Sequence, residues 1–316
     1  MQTTAADLCL LIATKDRQLN LNNLLASVSN SSLLPGKVIV VYSGTDISEI
    51  INKYVAQISI EVIYSPVASQ VTQKLIGINS LDQNADWVLF LDDDIILPID
   101  SLSILMNNYI RNPNLGDVCG FGLKVRNLEF RKLTFKQQFF LRPLGLYSNK
   151  SGSVLASGHV QNYQELLNDT DTQWLNGVSA WKFKTLKDYN TGFSKIDYAA
   201  YEDVIFSYKV SKSNRLFFAS SVSVISQNIE SYRPLTFTQF KAGAYMRYLF
   251  VKKNKELSVT MLLTAQLVRS IDFIKNGDPN ISMLSRFIKS SFIWIDLLLD
   301  VITKKNPVNL LTKRYN

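Results

Sequence analysis

Three consecutive carboxylates close an apolar run in this chain, where Phe90-Leu91 leads directly into Asp92-Asp93-Asp94. Adjacent carboxylates repel, and each like-charged neighbour raises the cost of ionising the next. A chain gathers three at the end of an apolar segment either in full solvent, as a plain polar turn, or around a cation. Oxygen ligands of this kind suit Mg2+ or Mn2+, which can bridge to a diphosphate. A second acidic pair, Glu202-Asp203, follows about 110 residues later, ahead of Ile205, Phe206, Tyr208 and Val210. Carboxylates in a first helical turn favour the helix dipole, which is the structural reading. The chemical reading is a general base that takes a proton from an attacking hydroxyl. The one histidine, His159, lies in Ser157-Gly158-His159-Val160. A surface or hydrogen-bonding role is its simpler reading, and contact with a phosphate or hydroxyl of a ligand is the alternative.

Alternating strands and helices are needed to hold these groups. Leu8–Ala13 is a continuous apolar run that stops at Thr14-Lys15-Asp16-Arg17, and Leu21, Leu24, Leu25 and Val28 then recur at helical spacing. After the Pro35-Gly36 turn, Lys37–Val41 reads as a buried parallel strand, broken by Ser43-Gly44-Thr45-Asp46. Ile47, Ile50, Ile51 and Tyr54 predict a helix, Ile58–Tyr64 a strand, Val71–Leu81 a helix and Trp87–Leu91 a fourth strand. Such repetition predicts a doubly wound α/β sheet with ligands at the strand C-terminal ends. Further on, Arg126–Tyr147 mixes basic residues with Phe130, Phe135, Phe139 and Phe140. Stacked bases between phosphate contacts are one reading of that mixture. Packing of a helix on the sheet, from the Phe135 to Phe139 spacing, is the preferred one, so no nucleic-acid partner is expected. Ser148–Gly158 reads as a mobile Ser/Gly-rich loop, and Ile288, Phe292, Ile295, Leu299 and Ile302 form an apolar helical stripe.

Taken in order, Ala13–Arg17, Val41-Tyr42-Ser43-Gly44, Phe90–Asp94, Trp174-Leu175-Asn176-Gly177 and Gly192-Phe193 with Glu202-Asp203 resemble the family 2 glycosyltransferases over roughly residues 8–230. The resemblance implies a GT-A fold, a Rossmann-like and mostly parallel central sheet flanked by helices. It also implies a nucleotide-sugar donor, a divalent cation (Mn2+ or Mg2+), a glycan or lipid-linked acceptor of polysaccharide biosynthesis and inversion at the anomeric carbon. By that likeness Thr14, Asp16 and Arg17 sit on the donor loop and Lys74 lies near the diphosphate. Asp92 and Asp93 contact the nucleotide sugar, Asp92 and Asp94 bind metal, and Trp174, Asn176 and Gly177 face the acceptor. Asp203, paired with Glu202, is the base. The family's base-reading carboxylate after the second strand is replaced by Tyr42-Ser43, with Asp46 a little later, and a metal-binding histidine is replaced by Ser226-Gln227-Asn228. Ser43 and Asp46 are therefore the candidates for that end of the donor.

Two other classes compete. Leu89–Asp94 also resembles the opening strand of haloacid-dehalogenase-type phosphatases, but that fold begins with this strand, whereas three strand–helix units precede it here. A non-enzymatic protein that binds membrane or nucleic acid through a basic tail would leave both acidic motifs idle. Among the 316 residues the net charge is +8, and residues 1–229 hold 20 basic and 20 acidic side chains, so the excess of 14 over 6 in 230–316 carries it all. The expected division is therefore a catalytic domain at 1–229 and a basic helical region at 230–316. That region would pack on the catalytic domain, pair with a second copy, or rest on an anionic membrane face. With 47% hydrophobic residues disorder is excluded, and Cys9 and Cys119 are expected to pack as small apolar groups. The polar start and the absence of an apolar stretch of about 18 residues predict a cytoplasmic, at most peripheral, protein.

Overall fold

Apolar runs with no polar face can be buried only between two layers of helices, and three of them, with a partly exposed edge strand, form the parallel half of the sheet. In the computed structural model, β1 (Thr3–Lys15), β2 (Leu33–Ser43), β3 (Ile60–Tyr64) and β4 (Trp87–Asp92) lie in the order β3-β2-β1-β4, all parallel. The structure describes residues 3–81, 85–128, 132–189, 201–227 and 234–303. The crossovers carry α1 (Gln18–Ser29), α2 (Ser48–Ile51) and α3 (Gln70–Asn79). Leu21, Leu24, Leu25 and Val28 of α1 are buried in one cluster with Leu10, Ile12, Val38, Val40, Leu89 and Leu91. The opposite sides of β1 and β4 bury Leu11, Val88 and Phe90 with Trp181 and Phe206. Cys9 and Cys119 are in no disulfide, and both are buried.

The sheet continues with β5 (Ile95–Ile96), β6 (Val118–Arg126), β7 (Thr170–Thr172), β8 (Ser179–Lys182) and β9 (Arg215–Ser226), in the order β4-β8-β6-β9-β5 with β7 on β9. β8 is antiparallel to both β4 and β6, and β6 runs parallel to β9. The helices are α4 (Ser101–Ile104), α5 (Phe135–Leu141), α6 (Phe183–Leu186), α7 (Glu202–Ser211), α8 (Phe237–Lys253), α9 (Val259–Asn276) and α10 (Met283–Thr303). The strand bearing Asp92 is the fourth of the chain, so the phosphatase arrangement, which opens on that strand, is absent.

The chain divides into two compact units. One comprises Met1–Leu128, Tyr163–Asp197 and Asp203–Ile229, and contains the sheet. The other gathers Glu129–Asn162, Tyr198–Glu202 and Glu230–Asn316, and contains α5 and α8 to α10. Capping boxes begin α5 at Thr134 with Gln137 and α8 at Thr236 with Gln239, and Ser258 caps α9.

Two expectations for this second unit are corrected. Phe135, Phe139 and Phe140 share a short helix as their spacing predicts, but their side chains are exposed rather than packed on the sheet. Spacing places residues on one face and does not say what covers it. Ser148–Gly158 is a bonded loop, in which Gln161 N donates to Ser153 O, Leu155 N to His159 O and Ser153 Oγ to Lys150 O. On α10 the stripe Ile288, Phe292, Ile295, Leu299 and Ile302 faces outward among the described residues, while Ser290, Ile293, Leu297 and Asp300 are buried. Asp296 and Asp300 point inward. Tyr245 donates its hydroxyl to Asp296, and Trp294 Nε1 bonds Leu263 O on α9. Among the described residues no helix is long and apolar enough to cross a membrane.

Candidate active site

β1 and β2 end level, with Lys15 beside Ser43, and β4 ends two residues earlier, with Asp92 beside Ala13. This edge therefore collects Thr14, Asp16, Arg17, Ser43 and the three aspartates, where open α/β sheets hold ligands. Its central group is Asp93, which is only 5% exposed. Thr14 Oγ1 donates to Asp93 Oδ2 at 2.7 Å, and Arg17 donates to Asp93 Oδ1 at 2.9 Å. Burial pushes the Asp93 carboxyl up against the pull of Thr14 and Arg17, and Asp93 in turn holds the Arg17 guanidinium's pKa up. Arg17 also lies 3.6 Å from Asp94. An internal cation thus supplies part of the relief that three adjacent carboxylates require.

The flanking aspartates are more exposed than Asp93. Asp92 Oδ1 accepts from Gln70 Nε2 at 2.8 Å. A Cβ at Gly177 would stand 3.1 Å from Asp92 Oδ2, so glycine at this position leaves that oxygen approachable. Among the described residues no three His, Cys, Asp or Glu side chains converge as a cage for a metal ion. What the edge offers is two carboxylates, Asp92 and Asp94, on one strand end. That donor set fits Mg2+ or Mn2+, which are commonly bound by one or two carboxylates and completed by water and phosphate oxygens.

The residues expected on the donor loop are tied to each other. Asp16, at φ +53°, accepts from Thr45 N at 2.9 Å and from Thr45 Oγ1 at 3.0 Å, and those bonds hold its carboxyl below the usual range. Gly44, at φ +85°, leaves room for this, since a Cβ there would fall 2.1 Å from Asp16 Oδ1. Ser43 is buried, and its Oγ has no hydrogen-bond partner among the described residues. Asp46 accepts from the Ser48 hydroxyl and amide at the start of α2, which lowers its pKa. Lys74 is buried on α3 with Nζ 5.4 Å from the centre of the Phe90 ring.

On the side assigned to the acceptor, Tyr163 is fully buried between Trp174 and Phe218, with ring centroids at 4.7 and 4.8 Å. Its hydroxyl donates to Asn176 Oδ1 at 3.2 Å and accepts from Asn176 N at 2.9 Å, which fixes the loop that brings Gly177 to Asp92. Burial raises the Tyr163 pKa strongly, and the nearby Asp203 charge adds to the effect. Asp203 lies in the first turn of α7, which Phe206 anchors against Trp181 at 4.8 Å. Val204 N donates to Asp203 Oδ1 at 2.8 Å. Glu202 is buried, at 5% exposure. Gly192, Phe193 and Asn228 lie outside the described residues.

Three neutral side chains complete the frame and carry no sequence motif. Gln73 Nε2, buried on α3, bonds Thr14 O at 2.7 Å and Val41 O at 3.1 Å, joining the ends of β1 and β2. Gln227, just past β9, donates its amide N–H to Asp94 O at 2.7 Å and reaches Asp93 O and Ile95 O with Nε2. Tyr163 is the third.

No protein-family model matches the chain, and no curated protein does. Solved structures do. TarS of S. aureus aligns with a TM-score of 0.58 at 15% identity, over 96% of this chain and 50% of that one. TarS 1-349 in complex with UDP-GlcNAc aligns at 0.55 and 14%, over 96% and 83% of the two chains. The mannosyltransferase PcManGT from Pyrobaculum calidifontis, in complex with GDP-Man and Mn2+, aligns at 0.51 and 11%, over 98% and 84%. The chain thus has the GT-A fold of these glycosyltransferases. It spans about half the length of the first and about four-fifths of the other two.

Proposed function

We propose that the chain is an inverting glycosyltransferase of the hexosyl- or deoxyhexosyltransferase class. It moves a sugar from a nucleoside-diphosphate donor to a hydroxyl of a glycan or lipid-linked acceptor. The observation that carries this reading is the convergence at one strand edge of Asp92 and Asp94 with the Asn176-Gly177 loop, which Tyr163 holds. Ser43 Oγ, buried and unpartnered among the described residues, supports a polar ligand group at the β2 end. Thr14 and Arg17 fix Asp93, so Asp93 acts by orienting its neighbours. Asp203 takes the proton of the acceptor hydroxyl. That oxygen forms its bond to the anomeric carbon as the carbon–oxygen bond to the diphosphate breaks, and the departing nucleoside diphosphate keeps the electron pair. Asp92 and Asp94 would hold the cation, and when bound it supplies positive charge against the charge gathering on the diphosphate.

Thermal shift of the full chain with UDP, GDP and dTDP, each with and without Mn2+, tests this reading. A ligand that binds only the folded state raises the melting temperature by mass action. One nucleotide stabilising in a Mn2+-dependent way is the expected result, and no stabilisation by any of them rejects it.

The outward apolar stripe of α10 supports a partner for this helix, either a second copy or an anionic membrane face on the cytoplasmic side. Lysines such as Lys252, Lys253 and Lys255 favour the membrane, each contributing about 1 kcal/mol near an anionic surface. Binding to anionic vesicles that salt abolishes is the expected outcome. Salt-independent binding, or a dimer without vesicle binding, assigns the stripe elsewhere.

A further inference from the structure

The helical unit holds a small cavity whose lining is cationic and whose buried donors lack partners. Its volume is about 180 Å³, and its walls include Tyr201, Gln239, Gly243, Arg247, Gln266 and Arg269. That is below the roughly 300–1,000 Å³ typical of sites for drug-sized ligands, so it suits one small group rather than a whole sugar nucleotide. Gln266 is 1% exposed, and its Nε2 has no hydrogen-bond partner among the described residues. Arg247 Nε is buried and unpartnered in the same sense. A buried N–H without an acceptor is costly, so two such donors at one cavity point to an acceptor group that enters it.

The surroundings are arranged for negative charge. The Arg247 guanidinium lies 4.8 Å from the centre of the Tyr201 ring, a stacking that leaves its edge to donate. Tyr201 holds this place at φ +79°, with its hydroxyl donating to Gly158 O. Arg269 is 3.7 Å from Asp272 Oδ2, a loose contact. Burial, then the charges of Arg247 and Arg269, hold the His159 pKa well below its usual value, so the positive field extends past the cavity walls. Gly243 widens the space, because a Cβ there would meet nothing within 4 Å. Glycine inside a helix is unfavourable relative to alanine, and here it preserves room.

We propose that this cavity binds a single phosphate group, recognised by Arg247 and Arg269 with the Gln266 amide. The site is built from residues of the helical unit and does not depend on the glycosyltransferase reading. Two sources present such a group, a soluble or glycan-borne phosphate and a lipid headgroup.

Calorimetric titration of the full chain with inorganic phosphate at low ionic strength tests it, alongside Arg269→Gln and Gly243→Leu. The first variant removes one partly exposed charge, and the second fills the cavity while leaving every donor in place. Circular dichroism spectra and melting curves check that both fold. Saturable binding of one phosphate per chain, weakened about tenfold or more in each variant, is expected. No saturable binding by the unaltered chain, or equal affinity in both variants, overturns the proposal. If Gly243→Leu does not fold, Arg269→Gln decides alone. Cosedimentation with phosphatidic-acid vesicles separates the sources. Binding that Arg269→Gln reduces assigns a lipid headgroup, and vesicle binding indifferent to that change assigns a soluble or glycan-borne phosphate.

Discussion

The strand edge of the first unit and the cavity of the second handle buried polarity in opposite ways. At the edge, buried Asp93 is satisfied by Thr14 and Arg17, exposed Asp16 by Thr45, and the Gln73 and Gln227 amides by strand-end carbonyls, with the Ser43 hydroxyl as the exception. In the cavity, the Gln266 amide and Arg247 Nε have nothing to bond among the described residues. The first region is conspicuous in sequence, and about half of its conspicuous groups brace one another. The second has no motif, and what marks it is an unmet need for an acceptor. A site can therefore be signalled by a pattern of residue types or by an incomplete pattern of bonds, and only the first is visible in a sequence.

The largest effect expected belongs to the base. Asp203→Asn keeps the shape and removes the basicity, so transfer should fall by about 10²-fold or more while donor binding persists. If Glu202→Gln is the inactive variant instead, the assignment within the pair is reversed, and if both are active the pair is structural.

Next in size is Asp94→Ala. Asp93 is committed to Thr14 and Arg17, so the metal-dependent share of donor affinity should rest on Asp94 with Asp92. A loss of about tenfold or more in Mn2+-dependent nucleotide affinity, with an unchanged melting temperature, is expected. Unaltered Mn2+ dependence removes Asp94 from the metal site and makes the whole triad a bracing device.

Thr14→Val sharpens the distinction between bracing and binding. It deletes the 2.7 Å bond to a buried carboxylate, at a cost of about 1–3 kcal/mol. Urea unfolding should show that loss. A variant as stable as the original would mean that Arg17 alone satisfies Asp93.

How far these features could be read in the sequence follows from their physics. β1, β2 and β4 are legible because a strand buried on both faces must be apolar at every position, as Leu8–Ile12, Val38–Val41 and Trp87–Leu91 are. Asp92–Asp94 is legible because three charges cannot follow such a run without a reason. The outward stripe of α10 is not, because the helix carries apolar residues on both faces and its acids bond inward to partners such as Tyr245. Periodicity finds a stripe but cannot choose between faces of similar polarity. Tyr163, Gln73 and Gln227 are single polar residues whose roles arise from contacts far along the chain, such as Gln227 with Asn23. Those contacts leave no local pattern.

The smallest effect concerns the cavity's surroundings and turns on pH. His159 Nδ1 lies 3.0 Å from Ser157 Oγ, and that hydroxyl gives its one proton to Gly145 O. The ring must therefore donate from Nδ1, which leaves Nε2 bare and buried in the field of Arg247 and Arg269. The folded chain thus resists a proton that the unfolded chain accepts near pH 6.5. Above that value both states leave the ring neutral and the group adds no pH dependence. Below it the unfolded state binds more protons, so stability falls as pH drops toward the folded pKa. Urea unfolding of the unaltered chain and of His159→Gln at pH 8 and pH 5 isolates the contribution, because the carboxylates common to both proteins cancel in the difference. The advantage of histidine over glutamine should shrink at pH 5, and a difference that stays constant would show that neither burial nor the arginine field holds the ring's pKa down. Inorganic phosphate extends the comparison. An anion beside Arg247 and Arg269 offsets their charge, so it should diminish the pH 5 penalty if it occupies the cavity and leave the penalty unchanged if it binds elsewhere.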